Sequence, residues 1–137
     1  MRHPAKIELA NNDELVLVNA GIMNPEDVRR IIVEDALVDT GAPRLSLPPS
    51  LIEQLGLTPF RSEPVRTVNG LTELWIYSPV QFRLLERESI TTVLGVPEGT
   101  PVLIGHLLLE DLDLCLDIKE GLIYNPAHDG EWMSELY

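Results

Sequence analysis

The sequence has one cysteine, no surplus of basic residues and no long apolar run, and each absence excludes a class of protein. Cys115 cannot form a disulfide within the chain, so we expect a protein of the reducing cytoplasm. The chain has 10 lysines and arginines but 22 aspartates and glutamates, which gives a net charge of −12. This negative charge argues against nucleic acid and anionic lipid as partners. The longest apolar runs, such as Val102–Ile104, fall far short of the roughly 18 residues that cross a bilayer. No signal-peptide pattern opens the chain.

The composition that remains is sufficient for one small folded domain. Of the 137 residues, 45% are hydrophobic, which is enough to build a core. Eleven prolines and nine glycines divide the chain into short segments rich in valine, isoleucine and leucine. Such spacing is typical of short strands bounded by turns. We therefore expect an all-β fold, a barrel or sandwich, with one or two short helices.

Local signals place the individual elements. Asn69-Gly70 predicts a hairpin between Val65–Val68 and Leu71–Tyr77, because this dipeptide tolerates the positive φ of a type I′ turn. Helices are predicted at Leu51–Leu55, ending at Gly56, and at Leu107–Leu112, with a shorter helical start at Asn24–Asp27. The other predicted strands are Lys6–Ala10 paired with Glu14–Val18, Arg29–Glu34, Ala36–Asp39, Val80–Glu86 paired with Ile90–Val96 through Arg87–Ser89, Val102–Gly105, and Leu114–Ile118 paired with Leu122–Tyr124 around Lys119–Gly121.

The segment Ala36–Ala42 is the strongest candidate for chemistry. Asp39 follows an apolar strand and is followed by Thr40 and Gly41. Glycine allows a tight turn beside the carboxylate, and threonine supplies a hydroxyl that can fix the loop to a neighbour. The alternative interpretation is a strand that ends in an ordinary turn, since aspartate and glycine favour turns.

Three segments in this order resemble the retropepsin-like aspartic proteases, in particular their bacterial single-domain branch. They are the Asp-Thr-Gly sequence at Asp39, the Asn69-Gly70 hairpin and Val102–Gly105. The resemblance implies an acid-protease-like barrel. It also implies a protease domain at 29–126, preceded by an N-terminal strand and loop extension at 1–28 packed on the core, and followed by a C-terminal tail at 127–137.

The resemblance also implies roles for individual residues. Asp39 is the expected catalytic residue, and the hairpin is the expected flap over the substrate. The remaining expected site residues fall into three sets: the active-site loop Thr40, Gly41 and Ala42; the supporting segment Leu103, Ile104 and Gly105; and the substrate-binding flap residues Val68, Asn69, Gly70 and Leu71.

The single copy of the Asp-Thr-Gly sequence determines the expected assembly. Aspartic proteolysis needs two carboxylates about 3 Å apart that share one proton. Since the chain has one such aspartate, we expect a homodimer with one Asp39 from each subunit. The expected substrate is an extended peptide or unfolded protein segment, and the reaction needs no cofactor or metal.

Some residues depart from the family pattern and keep other functions open. Pro43 and His106 stand where viral members commonly carry an ion pair, and Arg44 stands where many relatives carry a small or polar residue. One alternative function is therefore that of a dimer that serves as a peptide-binding or assembly module and does not cleave peptides. The third possible function is that of a structural β domain in which Asp39 is a turn residue.

Other candidates are better explained by structure than by chemistry. His106 is expected to form structural hydrogen bonds, and Cys115 is expected to be buried and inert. Asp111, Asp113 and Asp117 lack the spacing of a calcium loop. Trp75 and Tyr77 share one face of the hairpin, where they line a peptide groove or pack the hairpin.

Overall fold

A computed structural model describes residues 2–39, 44–117, 122–125 and 131–135. Three short α-helices and ten strands make up this part of the chain. In chain order they are β1 (Arg2–Asn11), α1 (Asn12–Asn19), β2 (Arg30–Asp39), β3 (Leu45–Leu47), α2 (Pro49–Leu55), β4 (Pro59–Thr67), β5 (Gly70–Leu84), β6 (Arg87–Gly95), β7 (Leu103–Gly105), α3 (His106–Asp111), β8 (Cys115–Asp117), β9 (Leu122–Asn125) and β10 (Glu131–Glu135), with a 3₁₀ turn at Pro25–Asp27.

Six of the strands close into a barrel. The hydrogen-bonded order is β1-β2-β7-β3-β6-β5, and β5 pairs back onto β1 to complete the ring. Within the described residues β4 pairs with β5 alone, so the β4–β5 hairpin (59–77) extends beyond the ring from a base at Ile76 and Tyr77, which also pair with β6. Strands β8, β9 and β10 form a separate antiparallel sheet. The expected all-β, acid-protease-like barrel is thus confirmed.

Strand alternation builds the core of the barrel. In β1, Ile7 and Leu9 are buried while Glu8 between them is exposed. In β5, Val80 and Phe82 are buried in the same alternating way. Side chains of period two point to opposite faces of a strand, so one set fills the interior of the barrel. Each fully buried side chain of this size contributes roughly 1.5–3 kcal/mol of transfer free energy.

Several predicted elements are confirmed. Helix α2 covers the expected Leu51–Leu55 and ends at Gly56, whose φ of 65° is left-handed. Strand β7 and helix α3 follow each other as expected, and β8 pairs with β9. The two strands predicted at Arg29–Glu34 and Ala36–Asp39 form one continuous strand, β2. The segment predicted as a C-terminal tail, 127–137, includes β10.

The prediction of a strand at Glu14–Val18 is wrong, because this segment lies in helix α1. The Asn11 side chain caps the helix, its Oδ1 accepting a hydrogen bond from the Glu14 amide at 3.1 Å. Asn11 Nδ2 also donates to the carbonyl of Leu55 at 2.8 Å. The apolar run Leu15–Val18 suggested a strand, but the cap and the contacts of Glu14 determine the helix.

Glu14 joins α1 to the start of β2. Its carboxylate accepts hydrogen bonds from the Arg29 amide at 2.9 Å and from the Arg29 guanidinium, with Nη2–Oε2 at 2.7 Å. The hydrogen bonds from Arg29 hold the pKa of Glu14 below its usual value, against the opposing effect of burial. Gly56 leaves room for this pair, since a Cβ there would lie 2.0 Å from Arg29 Cζ.

Two turns differ from their predicted positions. Thr67 pairs with Gly70, so Val68 and Asn69 connect the β4–β5 hairpin, and the positive φ of 104° falls at Gly70. Between β5 and β6 the turn is Leu85-Glu86 rather than Arg87–Ser89. Both of its residues have positive φ, 52° and 66°, as a type I′ turn requires.

Among the described residues no helix is both long enough and apolar enough to cross a membrane.

We predict that the ion pair of Glu14 makes stability depend on pH. Glu14→Gln should lower the free energy of unfolding at pH 7 by about 1–3 kcal/mol, because charge-assisted hydrogen bonds to a buried group are lost. A lowered folded-state pKa stabilises the protein above the ordinary carboxyl pKa, and that stabilisation disappears as pH falls through the lower value. Urea unfolding at a series of pH values measures the difference. Glu26→Gln, at an exposed position, is the control, and a Glu14→Gln deficit that is the same at every pH would contradict the prediction.

Candidate active site

Asp39 lies at the end of β2, at one edge of the barrel. It pairs with Arg2 of β1 on one side and with Gly105 of β7 on the other. Ala36 and Val38 of the same strand are fully buried, and they anchor the strand in the core. The Asp39 side chain is half-buried. The strand therefore holds one carboxylate at the edge of the barrel.

The supporting segment lies directly beside the catalytic candidate. Leu103, Ile104 and Gly105 run parallel to β2 and pair in register with Leu37, Val38 and Asp39. The Leu37 amide extends the pairing by donating to the carbonyl of Val102 at 2.8 Å. Ile104 is fully buried. Two segments that the sequence analysis singled out separately are thus brought together.

The loop between β2 and β3 follows Asp39 in the chain. Its residues Thr40, Gly41, Ala42 and Pro43 lie outside the described residues. Strand β3 follows on the far side of β7, with Ser46 level with Leu103 in antiparallel register. The loop therefore starts and ends at strands that flank β7.

The β4–β5 hairpin presents its tip to solvent. Val68 is 101% exposed and Leu71 is 69% exposed, and Asn69 and Gly70 are exposed with them. All four predicted flap residues are thus at or next to the tip. Their exposure leaves apolar side chains available to a ligand.

Tyr77 and Trp75 differ in their surroundings. Tyr77 packs against the hydrophobic core, and its ring lies over Gly95 of β6. Trp75, nearer the tip, is half-exposed. Tyr77 therefore packs the base of the hairpin, while Trp75 has a face available to a ligand.

An ion pair that the sequence analysis did not identify joins the loop side to the hairpin. Arg44, the first described residue after the loop, lies with Nη2 3.6 Å from Oε1 of Glu63 in β4. The sequence singled out Arg44 as close to the active-site loop, but it gave no signal for Glu63. The two residues are distant in the chain, and only the folded hairpin brings them together.

His106 begins α3 directly after Gly105, and its side chain is exposed. It is therefore at the same edge as Asp39, which pairs with Gly105. Pro43 carries no charge, so the ion pair typical of viral members is absent from the sequence.

A comparison with known protein families identifies the same part of the chain as the candidate site. A family model described as aspartyl protease matches residues 28–106, more than half of the sequence. The match includes Asp39, the β4–β5 hairpin and β7. No curated protein matches the sequence.

We predict that Gly95→Ala disturbs the base of the hairpin. A Cβ at this position would lie 2.6 Å from Tyr77 Cε1 and 3.4 Å from Ile52 Cδ1, so the ring must move. Overpacking of this kind should lower the free energy of unfolding by about 1–3 kcal/mol. Chemical unfolding of Gly95→Ala, Tyr77→Leu and the double variant measures the coupling. The smaller side chain should recover part of the loss, whereas strictly additive effects would contradict the contact.

Proposed function

The chain belongs to the aspartyl protease family, and on that premise we propose that it is an aspartic endopeptidase whose dyad takes one Asp39 from each subunit of a homodimer. Family membership supports an aspartic protease role in general. The dimer, the dyad and the peptide substrate are the specific content of the proposal.

The position of Asp39 is the observation that carries the proposal. It stands at the end of a strand anchored by the buried Ala36 and Val38, in register with Gly105, inside the segment that the family model matches. The sequence contains no second Asp-Thr-Gly or Asp-Ser-Gly. Since the chemistry needs two carboxylates, a second copy of the chain must supply the other one.

The reaction follows from two carboxyl groups that share one proton. The ionised group accepts a proton from a water molecule, whose oxygen attacks the carbonyl carbon of the peptide bond. The protonated group donates a hydrogen bond to the carbonyl oxygen, where negative charge develops. The carbon–nitrogen bond then breaks as the leaving nitrogen accepts a proton. Water is the only co-reactant, so the proposal requires no metal or cofactor.

The β4–β5 hairpin is suited to covering an extended peptide. It extends beyond the closed ring, and its tip exposes Val68 and Leu71. Backbone groups of an extended peptide can form hydrogen bonds with strands and loops, while apolar side chains enter pockets between them. We further infer a cytoplasmic location from the single cysteine.

A dimer of the same fold that binds peptides without cleaving them is the second candidate. The departures at Pro43, Arg44 and His106 favour it, because they change the surroundings of the active-site loop.

We predict that Asp39→Asn abolishes cleavage of a peptide mixture scanned from pH 3 to 8. The loss should be at least about a hundredfold, because the general base and the shared proton are both removed. Wild-type activity should peak on the acidic side and rise faster than linearly with protein concentration in dilute solution. The fragments are measured by mass spectrometry.

Asp35→Asn is the matched control, since Asp35 is an exposed carboxylate on the same strand. It should cleave like the wild type. Cleavage by Asp39→Asn at the wild-type rate would refute the proposed dyad. A folded wild-type dimer that cleaves nothing would favour the peptide-binding candidate.

A further inference from the structure

We infer that Arg44 is a specificity-determining residue that binds a carboxylate side chain of the peptide, in exchange for its contact with Glu63. The inference rests on the proposed function and names the class of peptide: an extended segment with an acidic side chain within about three residues of the reacting bond.

The strand register places Arg44 near Asp39. Asp39 is level with Gly105 on one side of β7. On the other side of β7, Ser46 of β3 is level with Leu103, and Arg44 directly precedes β3 in the chain. Neighbouring strands lie about 4.8 Å apart, so β2 and β3, which flank β7, are roughly 10 Å apart. An extended peptide advances about 3.3 Å per residue, and it spans that distance in three residues.

The contact with Glu63 shows where the Arg44 side chain points. Its guanidinium extends from the loop side toward β4 of the hairpin. The side chains of Arg44 and Glu63 are 29% and 34% exposed, so the pair is open to a ligand.

The geometry of the pair favours exchange. The distance of 3.6 Å between Nη2 and Oε1 is longer than a hydrogen bond. Partly exposed ion pairs of this kind contribute about 0–1 kcal/mol, so little is lost when the partner changes. A peptide carboxylate that is free to orient can accept two parallel hydrogen bonds from the guanidinium, a stronger arrangement than the observed contact.

The charge of the whole chain makes such a cation necessary for an acidic peptide. At a net charge of −12 the protein repels acidic ligands at long range. Arg44 supplies a positive charge beside the hairpin in this acidic protein.

The test compares decapeptides with an apolar centre that differ only in carrying Glu, Gln or Lys at the second or third residue from that centre. Their binding to the Asp39→Asn protein is measured by fluorescence anisotropy, so that cleavage does not interfere. The Glu peptide should bind about tenfold more tightly than the Gln peptide, as expected for a charge-assisted hydrogen bond.

Three further variants distinguish recognition of the peptide by Arg44 from a purely structural role of the Arg44–Glu63 pair in stabilising the hairpin. Arg44→Gln should remove the preference for Glu, whereas Glu63→Gln should strengthen binding of the Glu peptide by freeing the guanidinium. Arg66→Gln is the matched control and should leave the preference unchanged, since Arg66 lies on the opposite face of β4 from Glu63. If Arg44 and Glu63 only brace the hairpin, their variants would shift the Glu and Gln peptides equally and in the same direction, and the inference would be overturned.

The outcomes distinguish the inference from the proposed function. Equal binding of the Glu and Gln peptides, together with Asp39-dependent cleavage, would refute the role of Arg44 and leave the protease intact. A protein that neither binds nor cleaves any of these peptides would refute both.

Discussion

The parallel pairing of β2 with β7 is the constraint on which the candidate site depends. The two strands are far apart in the chain, and each places one fully buried side chain, Val38 and Ile104, at the centre of the pairing. A shift of one residue would turn these side chains out of the core, so the register is strongly determined. That register sets Asp39 beside Gly105. On the other side of β7 lies β3, which Arg44 directly precedes.

Closure of the barrel by β1 supports this pairing. Strand β1 pairs with β2 along most of its length and with β5 near its end, so β2 is not an edge strand. Asn11, at the end of β1, then bonds to α1 and to the end of α2, while Glu14 ties α1 to Arg29. The hairpin, by contrast, extends beyond the ring. The ladder that holds Asp39 therefore does not depend on the tip of the hairpin.

The sequence predicted the elements whose signals are local. Gly56 stops α2 because glycine adopts the left-handed conformation without a steric penalty, and Gly105 marks the change from β7 to α3. Asp39 was recognisable because its neighbours Thr40 and Gly41 form a short contiguous pattern. Each of these features can be identified from a few adjacent residues.

The features that the sequence did not predict depend on contacts between distant residues. Leu15–Val18 has the composition of a strand, and only the cap from Asn11 and the pairing of Glu14 with Arg29 determine a helix. Leu85 and Glu86 adopt positive φ although neither residue type favours it, so the turn follows from the pairing of β5 with β6. Glu63 approaches Arg44 only after the hairpin has formed.

The central claim is that one active site uses Asp39 from two subunits, and a subunit-mixing experiment tests it most directly. Wild-type protein at fixed concentration is mixed with increasing amounts of the Asp39→Asn protein, equilibrated, and assayed for peptide cleavage. If the subunits exchange and pair at random, a ninefold excess of the variant should reduce activity to about one tenth, because nearly every wild-type subunit then has a partner without the carboxylate. Exchange is verified by mass spectrometry of isotope-labelled subunits. Undiminished activity in a fully exchanged mixture would show that a single Asp39 suffices and would contradict the shared dyad.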